Sequence, residues 1–244
     1  MDRNSPTTFG DLIRAKLSTR TDRTMDSIEK DLRERLAKVG RQIFAEGLTH
    51  GASGNISARI PGTKKCVIKP TGYSFADLEP HHFIVVDIDT RNVLDGKDKP
   101  SIETPFHTRL YKQWPEAGGV VHVHPHYSTI LSIIGEEIIP MGIEITEAPA
   151  LAKGIPVAKF APPGTDELAD NLVEAMKDHV AALMPHHGIT TIGKTIEEAA
   201  NNSRMVEFLA KLHYEVMLVG KPHPLREDVL RGLIERAKQK GLLF

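Results

Sequence analysis

The 244-residue sequence predicts a single α/β domain. Three observations carry that expectation. Segments with helical spacing of apolar residues alternate along the chain with short β-forming runs, so strands and helices are interleaved rather than grouped. The length is ample for one full hydrophobic core. No internal repeat, low-complexity tract or linker divides the chain, so residues 25–244 read as one domain behind an N-terminal tail or arm at 1–24.

Composition narrows the class of partner. Lys and Arg number 31 against 32 Asp and Glu, a formal charge of -1, so no overall field draws the chain to nucleic acid or anionic lipid. A small-molecule partner is expected. The single cysteine, Cys66, excludes an intramolecular disulfide and fits a reducing compartment. There is no charged-then-apolar leader at Met1, and no apolar run nears the ~18 residues of a membrane span, so the expected location is cytoplasmic.

The elements follow in order. Asp26 and Glu29 resemble a capping box ahead of Ile28, Leu32, Leu36, Val39, Ile43 and Phe44, a helical stripe that ends at Gly47. The stretch from His50 to Arg59 is a Gly/Ser loop running into a short alternating strand; it reads as an ordinary turn or as an anion-wrapping loop. Cys66–Lys69 is a strand stopped by Pro70-Thr71-Gly72, a small helix surrounds Phe75–Leu78, and Phe83–Asp87 is a further strand ahead of a charged turn at Asp95-Gly96-Lys97. Thr104 suits an N-cap and Pro105 the first helical position. Val120–Val123 reads as a buried strand, Ser128–Ile134 as a short helix and Pro156–Phe160 as a strand. A helix starts at Gly164-Thr165-Asp166-Glu167, and a strand spans Val180–Met184. Thr195 with Glu198 caps a long helix to about Gly220, and a last helix covers roughly Arg226 to Lys240.

The chemistry concentrates in Val121-His122-Val123-His124. On a strand, residues i and i+2 share a face, so both imidazoles point the same way and can chelate one divalent cation. The same pattern also fits two core histidines bonded to backbone. Glu103 stands just ahead of a helix start, whose positive end keeps a carboxylate ionised; this suits a metal ligand, a base or a plain dipole-stabilising charge. His186 reads as solvent-facing.

Taken together, Ala52-Ser53-Gly54-Asn55-Ile56-Ser57, Pro70-Thr71-Gly72, Ser101-Ile102-Glu103, Val121-His122-Val123-His124 and His186-His187-Gly188 resemble the class II aldolase/adducin family over about Asp26 to Phe244. The resemblance implies a three-layer α/β/α fold with a largely antiparallel central sheet, assembled as a four-fold homotetramer with active sites between neighbours. It implies zinc, or manganese or cobalt, on His122, His124 and His187, with Glu103 as acid/base. It also places Ser53, Gly54, Asn55, Thr71, Gly72 and Ser101 in a phosphate cup. The expected function is a metal-dependent lyase that cleaves a C–C bond of a phosphorylated ketose through an enediolate stabilised by the metal. Alternatives in the same chemistry are decarboxylation of a keto or aromatic acid and epimerisation of a pentulose phosphate. A non-catalytic adducin-like module has no use for an open metal site, and a structural zinc would want four protein ligands. Two departures stand out. No tyrosine follows Tyr214, where the family's C-terminal tail supplies a proton donor, and Ile102 and Ala52 replace hydroxyls of the cup.

Overall fold

The central pair of strands is β1 (Asn55–Arg59) and β5 (Gly119–Val123), whose register sets Asn55 opposite His122 and Ile56 opposite Val121. Around them the computed structural model, which describes residues 9–243 with side chains from residue 26, forms one sheet of seven strands, every neighbouring pair antiparallel. The remaining strands are β2 (Lys65–Ile68), β3 (Ile84–Asp87), β4 (Val93–Asp95), β6 (Ala181–Met184) and β7 (Gly188–Gly193), and the order is β4-β3-β2-β1-β5-β7-β6.

Side-chain alternation assigns the layers. Ile56 and Ala58 are apolar and point to one face, where α1 (Phe9–Ala45) lies across them; Gly40 of α1 sits over Ile56, Phe75 and Leu78. On the same face α5 (Ile196–Val219) packs on β5 and β7, and the Thr191 hydroxyl donates to Ala199 O at 2.7 Å. Asn55 and Ser57 point to the other face, covered by α2 (Thr104–Gln113), against which α4 (Asp166–Ala175) packs. The three-layer α/β/α arrangement with an antiparallel sheet is therefore present. α3 (His126–Ile134) follows β5 and packs on α5, whose Glu207 carboxylate accepts from Tyr127 N at 2.8 Å and Ser128 N at 2.9 Å; α6 (Glu227–Gln239) closes the described chain. Among the described residues no helix is long and apolar enough to cross a membrane.

Several expectations need correction. The first helix does not start at Asp26: residues 1–8 of the supposed tail lie outside the described residues, and α1 already begins at Phe9. No proline or internal glycine interrupts residues 11–39, so nothing stops the helix there, and Glu29 pairs with Arg33 at 2.8 Å instead of closing a cap. The N-cap of α2 is Glu103, one residue before Thr104; its side chain is drawn into the site and makes no capping bond. Pro156–Phe160 forms only a single bridge, Val157 to Leu183, in a stretch closed by Pro162 and Pro163. β4 and β7 were not foreseen; β7 is apolar enough but runs between two glycines directly into the cap of α5. At that cap Thr195 Oγ1 accepts from Glu198 N at 3.2 Å, as expected.

Candidate metal centre and active site

His122 is the fixed point of the site. Its Nδ1–H donates to Ile189 O of β7 at 2.8 Å, which sets the tautomer and leaves the Nε2 lone pair facing away from the sheet. His124 follows the last residue of β5, yet its Nε2 reaches within 2.8 Å of His122 Nε2. His187 arrives from the tight β6–β7 turn, where His187 N donates to Met184 O at 3.1 Å and His186 takes the left-handed conformation at φ 58°. Gly188 is required just after it, since a Cβ there would collide with Val123 O and meet the His124 ring at 2.9 Å. The three imidazoles thus come from β5, from the residue just past its end and from the turn that leads into β7, with one ligand nitrogen from each lying within 4.8 Å of the others.

These three residues fit a divalent cation. Burial, reinforced by the neighbouring His122 ring, pushes His124 down to about 3 and His187 down to about 4, so both are neutral at pH 7 and offer a lone pair. Three imidazole nitrogens make an open ligand set of the catalytic type.

Glu103 faces the same nitrogens at 5% exposure. Its Oε2 accepts from Asn55 Nδ2 at 2.7 Å and lies 3.1 Å from His122 Nε2, while Oε1 lies 3.5 Å from His187 Nε2 and has no hydrogen-bond partner. Burial alone would raise this carboxyl, but the imidazoles of His122 and His187 and the Asn55 amide outweigh it and hold it well below the usual carboxylate range. The group is therefore ionised, buried and half-satisfied.

A cavity of about 190 Å³ opens beside these groups. Ser53, Gly54, Asn55, Thr71, Gly72 and Ser101 line it together with Glu103, His124 and His187. All six expected cup residues are thus brought to one hollow with His124 and His187, and His122 stands behind these two with its ligand nitrogen within 4.8 Å of theirs. Gly54 is forced by the fold, since a Cβ there would meet His122 O at 2.6 Å in a backbone at φ 77°. Ser101 Oγ accepts from Glu103 N at 3.2 Å, which ties the cup to the carboxylate. Glu144 and Glu147, at positions the family resemblance places in the substrate pocket, are exposed and do not line this cavity.

Residues 34–214 match the sequence profile of the Class II Aldolase and Adducin N-terminal domain. The chain belongs to the class II aldolase and adducin family. It is 32% identical over 210 residues to the 5-methylthioribulose-1-phosphate/5-deoxyribulose-1-phosphate aldolase of Rhodospirillum rubrum, a match covering 86% of this chain and 92% of that one. It is 33% identical over 187 residues to the 3-oxo-tetronate 4-phosphate decarboxylase of Escherichia coli, covering 76% and 87%. Among solved structures, an L-fuculose 1-phosphate aldolase superposes with a TM-score of 0.78 at 28% identity, covering 85% of this chain and 96% of that one. Class II aldolases depend on a divalent metal, and His122, His124 and His187 form a group that could hold one.

Two residues of this class II aldolase site escaped the sequence reading. Lys69, just past β2, is 1% exposed and lines the cup, its Nζ donating to Ala52 O at 3.1 Å and lying 5.0 Å from the centre of the Phe75 ring. Burial pushes it down to about 8, with Glu103 pulling weakly the other way. A lysine directly before Pro-Thr-Gly at the end of a buried strand was the available signal. The other is His107, fully buried behind Glu103.

Proposed function

We propose that the protein is a class II aldolase cleaving a C–C bond of a phosphorylated ketose, with His122, His124 and His187 as the metal ligands and Glu103 as the acid/base. One observation carries the reading: a single cavity joins a cationic, hydroxyl-lined cup to an ionised carboxylate and to His124 and His187, whose ligand nitrogens cluster with that of His122. Ser53, Thr71 and Ser101 offer hydroxyls there, Asn55 Nδ2 keeps a second hydrogen for the cavity, and the buried Lys69 ammonium, whose hydrogen bond goes to the neutral Ala52 carbonyl, adds a positive charge that favours an anion there.

A divalent cation held by the histidines supplies Lewis-acid stabilisation of the negative charge that develops on oxygen as the bond breaks. Glu103 Oε1, buried and free of hydrogen bonds, takes the proton of the hydroxyl beside the scissile bond. The bond's electron pair passes to the ketone fragment, the other fragment leaves as an aldehyde, and the same proton returns from Oε1 to carbon. No further donor is needed for balance, which accommodates a tail without tyrosine after Tyr214.

The finer assignments are zinc, a cytoplasmic location and a four-fold homotetramer. Exposed Ile133 and Ile134 at the end of α3 and Leu218 and Val219 at the end of α5 support an assembly, since they leave apolar surface to be covered. Cys66, free and buried, suits a reducing compartment. A decarboxylase is the second reading, favoured by the similarity to a 3-oxo-tetronate 4-phosphate decarboxylase. The test is turnover of the metal-loaded protein on ketose phosphates and phosphorylated keto acids, measuring aldehyde and carbon dioxide separately. Aldehyde without carbon dioxide supports the aldolase; carbon dioxide alone transfers the site to the decarboxylase, and neither product with full metal occupancy refutes both.

A further inference from the structure

Behind Glu103 runs a line of buried polar side chains, of which the chemistry above uses only Asn55. Asn55 is 4% exposed, Ser57 and His107 0%, and Tyr111 1%. Asn55 Nδ2 donates to Glu103 Oε2 at 2.7 Å, and Asn55 Oδ1 meets His107 Nε2. His107 Nδ1 lies 2.7 Å from Ser57 Oγ, which lies 2.9 Å from the Tyr111 hydroxyl. The line joins two elements: Asn55 and Ser57 alternate onto one face of β1, and His107 and Tyr111 stand one turn apart on α2.

One arrangement of hydrogens satisfies every member of the line. An ionised carboxylate only accepts, so Asn55 must turn its N–H to Glu103 and its oxygen outward. That oxygen also only accepts, so His107 must carry its proton on Nε2. A neutral ring then accepts at Nδ1 from Ser57, and Ser57 accepts from Tyr111. The stacking of Phe106 on the His107 ring, centroids 4.7 Å apart and 20° between planes, holds the ring in that plane. Burial, with His122 adding to it, pushes His107 down to about 3, in keeping with a neutral ring.

We propose that His107 is a positioning residue, its Nε2–H tautomer locking the Asn55 amide with its N–H toward Glu103 so that Oε2 is held and Oε1 is left to carry the proton. This rests on the reading of Glu103 as acid/base. Without His107 the Asn55 amide is free to rotate, setting Oδ1 against Oε2, acceptor against acceptor, and the carboxylate swings off its place. A misplacement of about 1 Å costs about 10²-fold in rate.

The test has an activity arm and a spectroscopic arm, both on the zinc-loaded enzyme. His107→Phe removes both hydrogen bonds; kcat is expected to fall about 10²-fold, with KM and bound metal within about threefold of wild type. His107→Gln, which retains an N–H donor for Asn55, is expected to recover at least about tenfold of that loss. In wild-type enzyme, ¹⁵N resonances of the His107 ring should report a neutral Nε2–H tautomer. An Nδ1–H tautomer overturns the proposal whatever the variants do. So does a folded His107→Phe enzyme with wild-type kcat, or one whose only loss is in KM and metal. If His107→Phe does not fold, the Gln variant and the tautomer decide. The Glu103 reading fails separately: near-normal turnover of Glu103→Gln removes the acid/base role, while the ¹⁵N result still reports which way the Asn55 amide is held.

Discussion

Lys69→Met should make the protein more stable and a worse enzyme. Lys69 is 1% exposed, and burial pushes it from 10.5 down to about 8. At 1.36 kcal/mol for each pH unit, keeping that ammonium charged costs the folded state about 3 kcal/mol at neutral pH. Methionine fills the same space without the charge, at a loss of about 1 kcal/mol for the bond to Ala52 O. The expected net gain is about 2 kcal/mol, or roughly 4–8 °C in Tm for a chain of this size. The pH dependence has a definite sign. Between about 8 and 10.5 the unfolded chain binds the Lys69 proton and the folded chain does not, so wild-type stability rises with pH across that window. Below pH 8 the full cost is present, and the Met variant loses the rise. The functional cost falls on binding. Hydrogen bonds to a charged group are worth about 1.5–3 kcal/mol, so KM for a phosphorylated substrate should rise about 10–10²-fold with kcat less affected. Denaturant melts at pH 7 and pH 10 and steady-state kinetics on both proteins decide it. A variant no more stable than wild type at pH 7, or one with unchanged KM, refutes the picture of a buried cation waiting for an anion.

Glu103→Gln keeps the size of the side chain but cannot take a proton; bound metal should persist by mass spectrometry while turnover falls about 10²–10⁴-fold. His122→Ala and His187→Ala should each lose bound metal, and stoichiometric retention by either would show that the ligand set is wrong. Chelation should abolish activity while far-UV circular dichroism stays intact, because the apolar core on both faces of the sheet does not involve the site; a collapse of the spectrum would mark a structural metal instead.

What the sequence made legible is what local geometry determines. His-X-His on a β-forming run places two rings together by strand period alone, and the structure holds their Nε2 atoms 2.8 Å apart. Thr195 with Glu198 announces α5 because a cap is a contact between near neighbours. β7 and Pro156–Phe160 were misjudged for the same physical reason: Gly188–Gly193 becomes a strand because β5 and β6 flank it, whereas Pro156–Phe160 has β propensity and finds only one bridging partner.

The site residues divide along the same line. Taken alone, Glu103 reads equally well as a helix-end charge, and Asn55 as part of a turn. What separates those readings is the pairing of β1 with β5, which sets Asn55 directly opposite His122 and so puts an amide, a carboxylate and an imidazole on one face. Shifting that register by one residue would turn Ile56 toward the cavity and Asn55 into the apolar layer under α1, at the cost of an unsatisfied amide in the core. Burial on both faces therefore fixes the register, and the register assembles the chemistry. Lys69 and His107 became visible only at that stage, since each faces partners more than fifteen residues away in sequence, Ala52 for one and Asn55 and Ser57 for the other.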